Sequence, residues 1–394
     1  MRMMRQKALI YGYGDTYKKN ICWIRQLYRI VGITDVKITT SCEEKQLYTV
    51  EDAVRLDFEI VIVTSVFIEE IKDKLVNDFK IEDTKIYWFM EEFSQERHES
   101  FGEKNPDVTF YIFRAHWQEV KNGFNNFFDR VFASCYEVKK QGYEFFVDMK
   151  NYYTEYAGME RYGIVNIWED YYEQPSSYTL DDAYQSKNVI LSKFDSEKYN
   201  APFIVEGERL TNHWWVETYK ILSKMFTIKP GNILKEQIRN EETRLKSLDK
   251  TLGVLARGTD YISLKPKNHA IPYDTKLLID ECRNRLLSGE YKYIYIATED
   301  LDILEEFKRN FGEKLQFSDQ MRLKHDVKKE IMSVKFDREN DTYLRGLEYC
   351  IVIEMLSRCR SLLANCCCYG ALGAIAINGG RYSSCEVSDI GNYD

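Results

Sequence analysis

Missing from this chain are the features that would place it across a membrane. No run approaches the roughly 18 apolar residues needed to span a bilayer. The basic start, Met1-Arg-Met-Met-Arg-Gln-Lys7, leads only into Ala8-Leu-Ile-Tyr11, which is too short for a signal-peptide core and lacks a small-residue cleavage site. A cytoplasmic protein is therefore expected, with ten cysteines mostly reduced. None of them forms a C-x-x-C pair, and Cys366-Cys367-Cys368 has poor spacing for zinc, so buried or loop thiols are expected there instead of a metal. An excess of positive charge is also absent. The net charge of -8 disfavours a nucleic-acid partner while leaving room for a local phosphate pocket. There is no internal repeat and no low-complexity tract.

What is plentiful points to packed domains. Hydrophobic residues make up 44% and charged residues of both signs 30%, a balance that excludes wholesale disorder. A length of 394 residues predicts two or three domains. The 29 tyrosines suit strand packing more readily than carbohydrate stacking.

Along the chain, strands and helices alternate. Lys7 to Tyr11 reads as a strand followed by Gly12-Tyr-Gly14, a helix through Ile21, Ile24 and Leu27, and a second strand ending at Thr34-Asp35. Phe58 to Thr64 and Lys85 to Phe89 read as strands flanking a helix from Ile68 to Phe79. This order predicts a small parallel sheet, Rossmann-like in outline. The polar stretch Glu91 to Asp107 reads as a linker. A second α/β unit follows, with a strand at Val108 to Phe113, a helix carrying Phe124, Phe127, Phe128, Val131, Phe132 and Cys135, and a strand at Tyr143 to Val147. A third begins after Lys229-Pro-Gly231. It has strands at Leu252 to Ala256, Tyr291 to Ala297 and Ser361 to Ala364, and helices at 274–288 and 301–311. A further helix carries Leu344, Leu347, Ile351 and Met355 on one stripe. The expected domains are 1–95, 105–230 and 231–394, the last two facing each other across a cleft.

Chemistry-bearing residues gather at the strand ends of the third unit, where open α/β sheets bind ligands. Arg257-Gly-Thr-Asp260 follows the first strand. A guanidinium there suits forked recognition of a phosphate, and Gly258 lets the main chain approach an anion. The alternative is an arginine paired with Asp260 or another acid. Thr298-Glu299-Asp300 follows the next strand, where a carboxylate could receive donors from a nucleobase or, in the case of Asp300, cap the helix at Leu301. Asn365-Cys-Cys-Cys-Tyr-Gly370 opens a Gly/Ala-rich helix whose first amides favour a diphosphate, or else forms a tight turn. In the first unit, Gly12-Tyr-Gly14 with Asp35 matches part of a dinucleotide fingerprint, but Tyr17 occupies the third glycine position.

Leu252 to Tyr261, Ala297 to Asp300 and Asn365 to Gly370, in that order, resemble the three donor-site motifs of the fucosyltransferase superfamily with the GT-B fold, most closely its bacterial capsule and surface-polysaccharide members. Lys265-Pro-Lys-Asn-His269, Asn166 to Pro175 and Leu344 to Glu348 extend the resemblance over about 105–390. It implies a GT-B-like pair of Rossmann-type domains preceded by a small Rossmann-like one. The implied activity is metal-independent, inverting transfer of fucose from GDP-fucose, or from another nucleotide-diphosphate sugar, with no cofactor required. The acceptor would be a glycan or lipid-linked oligosaccharide, with any membrane association peripheral and through that acceptor.

By the same resemblance Arg257 and Gly258 hold the diphosphate. Thr298, Glu299 and Asp300 occupy the guanine-reading position, and Asn365, Cys367, Cys368, Tyr369 and Gly370 form the phosphate loop. The resemblance transfers no base, since the acid of some relatives aligns near Lys265; Asp260 and His269 are the candidates on their own chemistry, and Asn122, Gly123, Asn125 and Asn126 are expected on the acceptor side. Two departures stand out. The doubled arginine of several relatives is Arg257-Gly258 here, and the loop hydroxyls are replaced by thiols, which are poorer donors. Two rival readings remain: a glycosyltransferase-like binding or assembly subunit that has lost competence, and NAD-dependent sugar chemistry in the first unit.

Overall fold

The structure, a computed structural model, describes residues 5–115, 123–193, 211–324, 329 and 331–394. Five strands, β1 (Lys7–Tyr11), β2 (Arg29–Thr34), β3 (Leu47–Tyr48), β4 (Ile60–Val63) and β5 (Ile86–Trp88), form a parallel sheet in the order β3-β2-β1-β4-β5. Its central strands β1 and β4 are apolar runs buried almost throughout, as strands covered on both faces must be. Gly12 turns the chain out of β1 at φ +115, and a side chain there would meet the Thr64 hydroxyl at 2.8 Å.

A second sheet joins β6 (Arg97–Glu99), β7 (Lys104–Arg114), β8 (Glu144–Asp148) and β9 (Ser186–Leu191) in the order β6-β9-β7-β8, with only β6 antiparallel to its neighbour. This corrects the expected linker, because residues 91–107 contain β6 and the start of β7. Three charges of this stretch, Glu92, Arg97 and Glu99, are drawn into ion pairs, while Glu91, Glu96, Glu103, Lys104 and Asp107 stay exposed. The Glu92 side chain is fully buried and accepts from Arg114 at 2.8 Å and Arg97 at 2.6 Å.

The third sheet is parallel throughout: β10 (Thr251–Leu255), β11 (Tyr293–Ala297), β12 (Leu315–Gln316), β13 (Ser361–Ala364) and β14 (Cys385–Val387), in the order β12-β11-β10-β13-β14. Its core joins Leu252, Val254, Ile294 and Ile296 to Ile303, Leu304 and Phe307 of the helix Leu301–Phe311. The helix Asp341–Arg358 is buried more widely than one stripe, because Val352, Ile353, Glu354 and Leu356 are covered as well. The chain is thus α/β, with three sheets dominated by parallel pairing.

The first sheet falls within the expected segment 1–95 and the third within 231–394, whereas the second begins with β6 ahead of 105–230, and packing groups the chain into two compact units. The described residues of the first lie within Met1–Trp117, Gln141–Ile167 and Ser176–Ser196. Those of the second lie within Gln118–Lys140, Trp168–Pro175 and Glu197–Asp394. The helix Phe124–Lys140 therefore packs with the third sheet's unit. Its aromatic face explains this: Phe124 meets Tyr171 at 4.1 Å between ring centres, and Phe132 meets Tyr219 at 5.6 Å. Among the described residues, no helix is long and apolar enough to cross a membrane.

Candidate functional site

Strands β11, β10 and β13 are adjacent and parallel, with Leu255 in register with Ala297 on one side and Ala364 on the other. Their carboxyl ends deliver Arg257, the turn Thr298–Asp300 and Asn365 to one edge. Much of that edge is spent on holding itself together. The Asn365 side chain brackets Arg257, accepting its main-chain N–H at 2.8 Å and donating to its carbonyl at 3.0 Å. Asp300 is fully buried. One of its oxygens caps the helix Leu301–Phe311 through Asp302 and Ile303, and the other accepts from the Thr259 N–H at 3.0 Å. The carboxylate is a cap and a tie to the neighbouring turn, with no oxygen left pointing at a base. Gly258 is required for the same reason, since a side chain at that position would overlap Asp300 and Ile303. Thr298 is buried, and its carbonyl accepts from Arg322 at 3.1 Å.

Arg257 does not stand open. Its guanidinium pairs with Asp260 at 3.0 Å and Glu299 at 2.9 Å and lies 4.4 Å above the Tyr261 ring. Burial opposes its charge, but Glu299, Tyr261 and Asp260 hold it protonated well above its ordinary value. The pairing with acids weighed from the sequence is the arrangement present. Glu299 is held by this turn from three sides. A single oxygen, Oε1, accepts from the Arg257 guanidinium, from the Gly258 N–H at 2.9 Å and from the Thr259 hydroxyl at 3.1 Å. A guanidinium, a main-chain amide and a hydroxyl converging on one anionic oxygen is the chemistry of a phosphate-oxygen site. The turn is also strained. Thr259, a β-branched residue, sits at φ +39, a conformation costing about 1–3 kcal/mol that Asp300 and Glu299 fix from either side.

The last loop is buried: Cys366, Cys367 and Cys368 are all covered. Cys368 stands at the start of the helix Tyr369–Asn378. Its pKa is lowered, chiefly by the Cys366 thiol and, against burial, by Arg257 and the amides of Ala371 and Gly370. Those amides influence it electrostatically, although the geometry falls short of a side-chain cap bond. Cys366 is pushed up as the donor of the pair. Opposite this helix lie Asn125 and Asn126, both buried, with both polar atoms of Asn125 and the Asn126 oxygen lacking hydrogen-bond partners. Gly373 leaves room for Asn125, whose Nδ2 lies 2.9 Å from where a Cβ would stand. Tyr369 interacts with the Asn126 side chain. Gly123 precedes the helix at φ +101. Asn122 lies outside the described residues.

His269 is exposed, with Nδ1 3.0 Å from the Lys267 carbonyl and its ring edge-on to Tyr261 at 5.3 Å. It thus stands one ring beyond Arg257. Asp260 already accepts from Arg257, and its Oδ1 lies 3.3 Å from the Thr259 hydroxyl, whose one proton goes to the nearer Glu299 oxygen. Among the described residues, no cluster of three or more His, Cys, Asp or Glu side chains could hold a metal. In the first unit, Asp35 accepts from the main-chain N–H groups of Tyr13 at 2.9 Å and Lys37 at 3.0 Å, and Tyr17 is buried. That carboxylate braces its own loop. Sequence reasoning missed Thr259 and Tyr261, although both lie inside the quoted Arg-Gly-Thr-Asp-Tyr motif. It also missed Asp129, a fully buried acid bonded to Tyr219 and raised by burial to about 7, for which no local pattern gives a signal.

Residues 4–87 match the family model described as C2185-like, N-terminal. No curated protein matches the chain. Among solved structures, fucosyltransferase NodZ from Bradyrhizobium is similar at 13% identity and a TM-score of 0.38, covering 73% of this chain and 96% of that one. POFUT1 in complex with GDP is similar at 9% identity and a TM-score of 0.32, covering 98% and 99%. Likenesses this loose assign no ligand and no residue role here.

Proposed function

We propose that this protein is a glycosyltransferase that binds a nucleotide-diphosphate sugar, GDP-fucose by the resemblance of its motifs, at the carboxyl edge of the β10–β11–β13 sheet. One observation carries the reading: a guanidinium, a main-chain amide and a hydroxyl from the Arg257–Thr259 turn converge on a single anionic oxygen. In use, that oxygen would belong to the donor diphosphate.

When an acceptor hydroxyl attacks the anomeric carbon, negative charge grows on the departing phosphate oxygens. Donors already fixed in place stabilise that charge without reorganising. Tyr261 holds the guanidinium in position from beneath, and Asn365 fixes the main chain that carries it. Of the two candidate bases, His269 is exposed and carries no ion pair among the described residues, whereas Asp260 is engaged by Arg257. The transfer is inverting and metal-independent on this reading, with a glycan or lipid-linked oligosaccharide of a surface polysaccharide as acceptor. Asn125, whose buried amide lacks a partner among the described residues, and Asn126, whose oxygen lacks one, are the acceptor-side candidates. Segments 1–95, 105–230 and 231–394 are proposed as the N-terminal, acceptor-side and donor-side domains.

The test is turnover of GDP-fucose and other nucleotide sugars by the full chain and by Arg257→Ala. Loss of about 100-fold or more in the variant is expected, the usual scale for one preorganised donor of charge stabilisation; unchanged turnover removes Arg257 from the chemistry. A second reading is favoured by the double pairing of Arg257 and by the buried thiol loop: a binding subunit without turnover. Calorimetric binding of a nucleotide sugar with no product formed would select it.

A further inference from the structure

The cradle at Arg257 is filled, and filled by the chain itself. Arg257, Asp260 and Glu299 together carry one more negative charge than positive. A phosphate cannot be added to that cluster without removing a carboxylate, because like charges at this separation repel strongly. Which of the three can leave is decided by how each is held.

Arg257 is fixed by the Tyr261 ring beneath its guanidinium and by the Asn365 bracket on its main chain. Asp260 belongs to the short helix Thr259–Ser263 and also accepts from the Ile331 N–H at 3.5 Å. Glu299 has the longer side chain, and its flanking residues are anchored independently of it. Asp300 is locked as a helix cap, and the Glu299 carbonyl accepts from the Leu323 N–H at 3.0 Å. Displacement of its carboxylate therefore does not require its own main chain to move, and Asp300 still holds the Thr259 N–H. Arg322 lies within electrostatic reach of Glu299, and its guanidinium donates to the carbonyls of Thr298, Gln320 and Ser318. It gives a displaced carboxylate a cation to turn toward.

We infer that Glu299 is an internal anion that occupies the phosphate cradle when no ligand is bound and is displaced when a phosphate-bearing ligand enters. The inference rests on the preceding reading of the cradle but assigns Glu299 a different part from base recognition: it competes with the ligand. Competition of this kind lowers apparent affinity by the fraction of molecules in which the cradle is open. Its effect is selective, since a ligand with a single weakly charged group gains too little to displace the carboxylate, whereas a diphosphate gains enough.

The experiment is calorimetric titration of inorganic pyrophosphate, and separately of GDP, into the full chain and into Glu299→Gln, Glu299→Ala and Arg257→Ala. Glu299→Gln keeps the side-chain shape and removes the charge; Glu299→Ala removes the occupant altogether and covers the case in which the amide disturbs the turn. Both are expected to bind pyrophosphate about fivefold or more tightly than the unaltered protein, the lower end of ordinary coupling between competing interactions. Equal or weaker binding by both variants overturns the inference. If the unaltered protein then still binds GDP and Arg257→Ala does not, the cradle stands and only the role of Glu299 falls. If Arg257→Ala binds GDP as well as the unaltered protein does, the reading of the site falls with it.

Discussion

At the scale of single residues, the most informative groups are those whose environment opposes their ordinary chemistry. Asp129 is fully buried on the helix Phe124–Lys140, with one oxygen lacking a hydrogen-bond partner and with Tyr219 as its neighbour. Burial raises its carboxyl from 3.8 to about 7, with Tyr219 and Arg130 pulling the other way. Between those two values the folded chain keeps a proton that the unfolded chain has released. Its contribution to stability is therefore complete below the unfolded value and declines as pH rises through the folded one. The decline has an upper bound of about 4 kcal/mol, because each tenfold change in proton affinity is worth about 1.4 kcal/mol. Asp129→Asn should remove this slope, so that urea midpoints of variant and unaltered protein diverge from pH 5 to pH 8 in favour of the variant. Parallel pH profiles would mean that Asp129 is charged in the fold.

At the scale of elements, the helix Leu301–Phe311 and the strands β10, β11 and β13 were legible in the sequence. Each is an apolar run or stripe bounded by a turn, and Asp300 is a recognisable cap. β3, β12 and β14 were not, being edge strands of two or three residues that lie below any periodicity window. β9 was missed because Ser186-Lys-Asn188 opens it with polar residues, leaving only Val189 to Leu191 as signal. The motif positions of the candidate site were legible too, but their pairing was not. Nothing in Arg257-Gly-Thr-Asp260 announces that Glu299, on a different strand end, fills the turn. The double duty of Asp300 gives this scale its prediction. Asp300→Ala removes a helix cap, worth about 1 kcal/mol, and leaves the buried Thr259 N–H without its acceptor, worth about 1–3 kcal/mol. A loss of roughly 2–4 kcal/mol in urea unfolding is expected, with Asp300→Asn intermediate because it keeps one acceptor oxygen. A loss under about 0.5 kcal/mol, the range of ordinary surface substitutions, would show that the cap and tie are not made.

At the scale of the whole molecule, the polar stretch after β5 shows why sequence polarity alone misleads. Charged residues at 91–107 suggested a solvated connection, yet Glu92 is the fully buried centre of an ion network joining the two sheets of the first compact unit. Arg114, at the end of β7, donates to one Glu92 oxygen and also to the carbonyls of Glu92 and Gln95. Arg97, in β6, donates to the other oxygen, and Tyr28 lies 3.4 Å from it. Such a network adds little over a well-packed apolar substitute, because desolvation cancels most of the attraction, but it is costly to break from one side. Glu92→Ala strands the Arg114 guanidinium without its counter-ion in a place water does not reach, and a loss of about 3–5 kcal/mol follows. Glu92→Gln keeps the acceptor oxygen and the shape but not the charge, and should fall between. Because Glu92, Arg97 and Arg114 all belong to the first unit, the loss should appear in the tryptophan signal of Trp23 and Trp88, while the Arg257 cradle in the second unit keeps its pyrophosphate affinity. Loss of both together would mean that the two units do not unfold independently.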